Sequence, residues 1–309
     1  MVEDNPSDSR TVHRSDVDSR WQQILEIVLC ICALVVAYWF DGWKINNRPT
    51  PYQYLAQEDV YVRDLAHDEH LNYTCFVDNS ALHFVAIFLP LLSQIGWSLL
   101  LLGRKQWFNE MHGIVSCTCF ALALDTFITY AIKCYVGYLR PVYYDHCRPF
   151  EDYHGCTTNK SFIHVSFPSS HSSLSFCGMT ILALFLDRTW RQYRSRHRYH
   201  MALKSDLKIA TGDSLILLQA TKTDRFVSLL CVVTPMALAL FVSCTRIYNN
   251  FHYPADVLTG AVLGGAIAIV CHGFWFAHGR DIQLVQIYKP NSIDIPKIID
   301  EEGEEMMEE

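Results

Sequence analysis

The stretch HGIVSCTCFALALDTFITYAIKCYVGYLRP, residues 112–141, runs apolar from His112 to Ile132 and then turns basic, at Lys133 and at Arg140-Pro141. Crossing the hydrocarbon core of a bilayer takes about 20 mostly apolar residues in a helix. The first two thirds of the stretch have that length. Five further blocks do as well, at about 22–41, 81–102, 170–187, 226–244 and 256–278. Core helices of a soluble protein rarely run so long without a polar face. The expected fold is therefore all-α, a polytopic bundle of six transmembrane helices. Composition agrees: 50% of residues are hydrophobic, 18% are charged, and the mean hydropathy of +0.10 requires the apolar residues to be segregated. Such a chain is neither disordered nor a nucleic-acid binder held by a basic surface.

Charge sets the expected orientation. With the N-terminus inside, the inner segments carry 17 Lys and Arg and the outer loops carry 8, which favours both termini in the cytosol. The sequons at Asn72 and Asn159 then fall in outer loops as candidate glycosylation sites. Residues 1–20 are polar and rich in Ser and Asp, and are expected to be disordered. Residues 21–278 form the six-span domain, with a basic cytosolic loop at 188–225. Residues 279–309 form a tail holding seven acidic residues at 300–309, so the formal charge of -7 belongs to the tail. The first block has no small-residue cleavage site after it and reads as a retained anchor. Most of the twelve cysteines lie in apolar runs as small hydrophobes. Cys147 and Cys156 flank a polar loop, where a disulfide forms if the loop faces an oxidising compartment.

The remaining polar residues gather at the outer ends of four blocks. Lys133, Arg140 and Pro141 close the third. Pro168-Ser169-Ser170-His171 opens the fourth. Arg246 closes the fifth, and His252 and Asp256 open the sixth. Each alone has an ordinary reading: a snorkelling anchor, a structural histidine, or an acid at a helix N-terminus. Together at one depth they are suited to a phosphate. Lys offers a point charge and Arg a planar fork. The opening turn of the fourth block adds backbone N–H groups beside Ser169 and Ser170. His252 and Asp256 are four apart, so a helix sets a carboxylate against one imidazole nitrogen and frees the other. Spacing leaves open which histidine attacks. Asp125 lies mid-span, about 12 Å below Lys133. There it is expected to play a structural part, protonated and bonded to Thr126 or Thr129.

Lys133-x6-Arg140-Pro141, Pro168-Ser169-Ser170-His171 and Arg246-x5-His252-x3-Asp256 resemble, in order, the three signature motifs of the type-2 phosphatidic acid phosphatase superfamily. The six-block layout resembles its lipid phosphate phosphatase branch. The resemblance covers roughly residues 80–275, and two positions differ from the family pattern: Ser170 stands where Gly is usual, and Thr245 where Ser is usual. It implies His252 as nucleophile through a phosphohistidine, Asp256 orienting it, and His171 protonating the leaving alcohol. Lys133, Arg140, Arg246, Ser169 and Ser170 would hold the phosphate. The resemblance implies no metal and no cofactor. It implies a phosphorylated lipid as substrate: phosphatidate, lysophosphatidate, sphingosine 1-phosphate or diacylglycerol pyrophosphate. An isoprenoid pyrophosphate phosphatase and a catalytically silent lipid-phosphate-binding relative are the alternatives. The expected setting is a plasma membrane or endomembrane, with the bilayer as partner, no nucleic acid, and a homo-oligomer admitted.

Overall fold

The computed structural model describes residues 6–39, 44–58, 60–72, 77–101, 104–148, 161–204 and 221–276. They are mostly helical. Helix α1 spans Pro6–Trp39. A two-stranded hairpin follows, β1 at Tyr52–Leu55 and β2 at Val60–Arg63, paired antiparallel with Tyr52 opposite Arg63. Helix α2 (Asn79–His83) runs through a π-turn at Phe84–Phe88 into α3 (Leu89–Leu101). Helices α4 (Arg104–Val136), α5 (Tyr143–His146), α6 (Ser170–Lys204), α7 (Lys222–Tyr248) and α8 (Pro254–Phe276) complete the chain order.

Among the described residues, five helical segments are long and apolar enough to cross a membrane: Arg20–Trp39, Asn79–Leu100, Trp107–Val136, Lys222–Tyr248 and Pro254–Phe276. Helix α6, the expected fourth span, is not among them. Its N-terminal end carries Ser170, His171, Ser172, Ser173 and Ser175, which lower its hydropathy. Protein surrounds this helix: Ser172, Ser173, Cys177, Met179 and Ile181 have no exposure at all, and α4, α7 and α8 pack around it. A helix walled by other helices has no need of a fully apolar surface.

Two further expectations differ from the structure. Helix α1 extends back to Pro6, through a segment whose composition pointed to disorder; Pro6 is compatible with a first helical turn. The segment 188–225 is not simply a loop. Helix α6 continues to Lys204, and α7 begins at Lys222 behind a Thr221/Asp224 capping box. Along it Arg188 makes a bidentate pair with Glu110, at 2.8 and 3.1 Å, and Arg191 and Arg194 lie near Asp187 and Asp224. The acidic tail, Cys156 and Asn159 lie outside the described residues.

Close backbone approach fixes α8 against α6. A Cβ built on Gly260 would stand 2.6 Å from the Ser169 carbonyl oxygen, and one on Gly264 would stand 2.0 Å from that of Ser173. Glycines four apart on one face permit such contact. Asp125 is buried, and its partner is Ser173 of α6, whose hydroxyl donates to it; Thr129 donates to Ser173 in turn at 3.2 Å. Asp125 thus bonds to another helix, where a bond to Thr126 or Thr129 of its own helix was expected.

Candidate active site

Four chain segments deliver the site, each by a local rule. Helix α4 stops at Gly137, whose φ of 58° lies in the left-handed region and whose missing side chain admits the Asn46 carbonyl. The chain then runs extended. Arg140 N–H donates to Ile163 O and Ser166 N–H to Tyr138 O, which sets Arg140 beside the segment entering α6. Ser169 caps α6 by accepting from Ser172 N–H at 3.4 Å. Helix α7 ends in a Schellman turn: Phe251 N–H donates to Arg246 O, Asn250 N–H to Ile247 O, and Asn250 takes a φ of 60°. Pro254 starts α8 at the position proline favours. Asp256, three residues past the cap, accepts from Tyr253 N–H at 3.2 Å. The ordinary reading of Asp256 as a helix-start acid is thus also fulfilled.

The result is a cavity of about 190 Å³ lined by Asn79, Arg140, Phe162, His171, Arg246, Phe251 and His252. Two arginines and two histidines from distant stretches meet there, as the spacing anticipated. Arg140 donates through Nε to Phe162 O at 2.9 Å and through Nη1 to Phe251 O at 3.4 Å, with its guanidinium 5.6 Å from each ring. Arg246 lies 5.6 Å from the Phe251 ring, and its Nε and Nη2 each donate to Thr245 Oγ1 at 3.2 Å. Carbonyls, a hydroxyl and ring faces orient both cations. Burial draws Arg140 down to about 10, opposed by Asp256 and reinforced by Arg246, so it stays charged at neutral pH.

His252 is buried, and its Nδ1 lies 3.5 Å from Asp256 Oδ2 and 3.5 Å from Ser166 Oγ. Burial first, then Arg140 and Lys133, hold its pKa well below the ordinary histidine range, so the ring is neutral at pH 7. His171 Nε2 is buried without a hydrogen-bond partner among the described residues. A neutral imidazole, a second imidazole with an unspent nitrogen and two fixed cations form a site for an anion that undergoes group transfer.

Three expected phosphate ligands sit differently. Lys133 does not line the cavity; its Nζ donates to Val165 O at 2.7 Å and to Ser166 O at 3.3 Å. Ser169 N–H is taken by Asp256 O at 3.0 Å, and neither Ser169 nor Ser170 lines the cavity. The nearest carbonyls satisfy these donors because a buried N–H left unpaired is costly. Conversely, sequence reasoning missed Asn79, Phe162, Phe251 and Ser166. Ser166, two residues before Pro168, was the most accessible of these to a motif reading.

A further segment attaches beside these residues. Residues 44–72 tie to the helix ends through Asn46 N–H to Cys134 O and Glu69 N–H to Pro141 O, each a backbone bond. Leu71 N–H donates to Asp145, and Tyr253 and Asn250 donate to Ala66 O and His70 O. His70 Nδ1 meets Asp145 at 2.8 Å. Asn72 belongs to this segment. Cys147 is disulfide-bonded, while Cys156, its expected partner, lies outside the described residues. Among the described residues no three His, Cys, Asp or Glu side chains are grouped to hold a metal ion.

Comparison with known proteins gives one family match and several relatives. The family described as the PAP2 superfamily matches residues 114–280, more than half of the chain. "Lipid phosphate phosphatase 1" of Arabidopsis thaliana is 28% identical over 198 residues, covering 60% of this chain and 51% of that protein. "Lipid phosphate phosphatase 2" of the same plant is 28% identical over 174 residues, covering 53% and 51%. The Schizosaccharomyces pombe protein named "Probable diacylglycerol pyrophosphate phosphatase 1" is 25% identical over 227 residues, covering 68% and 70%. The alignments thus span about half the length of the two plant relatives. No solved structure matches the chain.

Proposed function

The chain belongs to the PAP2 superfamily, and from that premise we propose that it is an integral-membrane phosphatase for phosphorylated lipids, working through a phosphohistidine. The observation that carries this is the cavity in which Arg140, Arg246, His171 and His252 converge, with Asp256 behind His252. Arg140 and Arg246 bind the phosphate oxygens and stabilise charge as it redistributes. Nδ1 of His252 keeps its proton toward Asp256. Nε2 attacks phosphorus, forming the N–P bond as the P–O bond to the lipid breaks. His171 gives its proton to the leaving lipid oxygen. It then takes a proton from water, whose oxygen attacks the phosphohistidine and releases phosphate and free His252.

The substrate class follows from where this cavity lies. Counting Lys and Arg puts these helix ends, with α6 as a sixth span, at the non-cytosolic face. A lipid there keeps its tails in the bilayer while its phosphate reaches the arginines. Phosphatidate, lysophosphatidate, sphingosine 1-phosphate and diacylglycerol pyrophosphate fit that requirement. The names of the relatives support a lipid phosphate of this kind.

The test is phosphate release from these lipids in mixed micelles by purified wild type, His171→Ala and His252→Ala. Wild type turns over in EDTA, and each variant loses at least a hundredfold in kcat, the scale of a lost acid–base or nucleophilic group. Wild-type turnover by His252→Ala overturns the nucleophile. Complete loss of wild-type activity in EDTA overturns metal-independent chemistry.

A further inference from the structure

Ser166 lies outside the three motifs, yet its side chain touches both His252 and Asp256. Its Oγ donates to Asp256 Oδ2 at 2.6 Å and stands 3.5 Å from His252 Nδ1. It has no exposure. Its backbone is held at both ends: its N–H donates to Tyr138 O, and its carbonyl accepts from Lys133 Nζ at 3.3 Å. Lys133 thereby clamps the segment that presents the Ser166 hydroxyl.

The proton count around this hydroxyl is restrictive. A serine hydroxyl has one proton to give, and at 2.6 Å that proton goes to Asp256. Toward His252 Nδ1 the serine therefore offers only lone pairs, and so does the carboxylate. Two acceptors facing one ring nitrogen require that nitrogen to carry the hydrogen, which puts the free lone pair on Nε2. Asp256 alone favours the same tautomer, but its Oδ2 also serves Tyr253 N–H at 3.2 Å. We propose that Ser166 is a positioning residue that, with Lys133 fixing its backbone, orients Asp256 and locks His252 in the tautomer whose Nε2 attacks.

This assignment rests on the phosphatase reading, and the experiment separates the two. Wild type, Ser166→Ala, Ser166→Thr and Ser166→Val are purified in detergent and assayed for kcat and KM on a lipid phosphate that wild type hydrolyses. Ser166→Ala is expected to lose about tenfold or more in kcat, the weight of a hydrogen bond to a charged group, with KM within about twofold, because the arginines that bind phosphate are untouched. Ser166→Thr restores the hydroxyl and most of the kcat. Ser166→Val, equal in shape to Thr but without the hydroxyl, does not. The Thr/Val pair decides the matter if Ser166→Ala fails to fold. Wild-type kcat in Ser166→Ala, or equal kcat in the Thr and Val variants, overturns the role of Ser166 and leaves the phosphatase reading intact. A rise in KM at unchanged kcat overturns it too. No hydrolysis of any lipid phosphate by wild type overturns the phosphatase reading itself, and this assignment with it.

Discussion

Replacing Gly260 or Gly264 by Ala tests whether the distance between two helices sets catalytic geometry. Carbon and oxygen in contact sit about 3.3–3.6 Å apart. The new Cβ would fall 2.6 Å from Ser169 O at position 260 and 2.0 Å from Ser173 O at position 264. The helices must therefore separate by ~0.7–1.0 Å and ~1.3–1.6 Å respectively. Both obstacles are backbone carbonyls, so no side chain can swing away. His252 and Asp256 belong to the α8 side of this contact and His171 to the α6 side, so separation widens the gap between the His252 ring and the proposed proton donor, His171. A misplacement of about 1 Å costs on the order of a hundredfold in rate. Gly260→Ala, one turn from Asp256, should therefore lose about a hundredfold in kcat. Gly264→Ala should lose at least as much, with about 1–3 kcal/mol of stability from overpacking. Gly265→Ala is the control: the nearest atom, Thr180 Oγ1, is 3.9 Å away, and Ala gains roughly 1 kcal/mol of helix propensity over Gly. Turnover and thermal unfolding in detergent are the measurements. Gly260→Ala and Gly264→Ala variants that match Gly265→Ala in both would refute this account of the interface.

Further outcomes are expected at other places in the structure. Because burial and the neighbouring cations hold His252 below the usual histidine range, its neutral form persists as pH falls from 7 to 5.5; the rate of phosphoenzyme formation should not fall over that interval, and a steep loss centred near 6.5 would contradict it. The same shift means the unfolded chain binds this proton before the folded one does, so stability should fall as pH drops below about 6.5, read as a lower unfolding temperature. At the opposite end of the bundle, Arg188 pairs with Glu110 and lies 4.4 Å from the Phe276 ring. Arg188→Ala should lower the unfolding temperature while leaving turnover per folded molecule unchanged, and a selective loss of kcat would show that this end reaches the site.

How much of this the sequence disclosed depends on the kind of contact. Arg140, His171, Arg246 and His252 were legible because long apolar helices fix where their ends lie, and charge at those ends is conspicuous. Asp256 was legible from its four-residue offset. Asn79, Phe162 and Phe251 were not, since they come from loops and helix starts with no periodicity to read. Lys133 was expected at the phosphate and meets two backbone carbonyls, because charge type does not reveal which acceptors the fold brings closest. The attachment of 44–72 was likewise unforeseen: its hairpin is four residues per strand, and its partners are remote in sequence.

The sheltered position of α6 bears on how the molecule is made. The ribosome delivers this helix after α3 and α4 but before α7 and α8, the two helices that pack on it most extensively. The segment carrying His171 therefore gains its full enclosure only once the last two helices are in place.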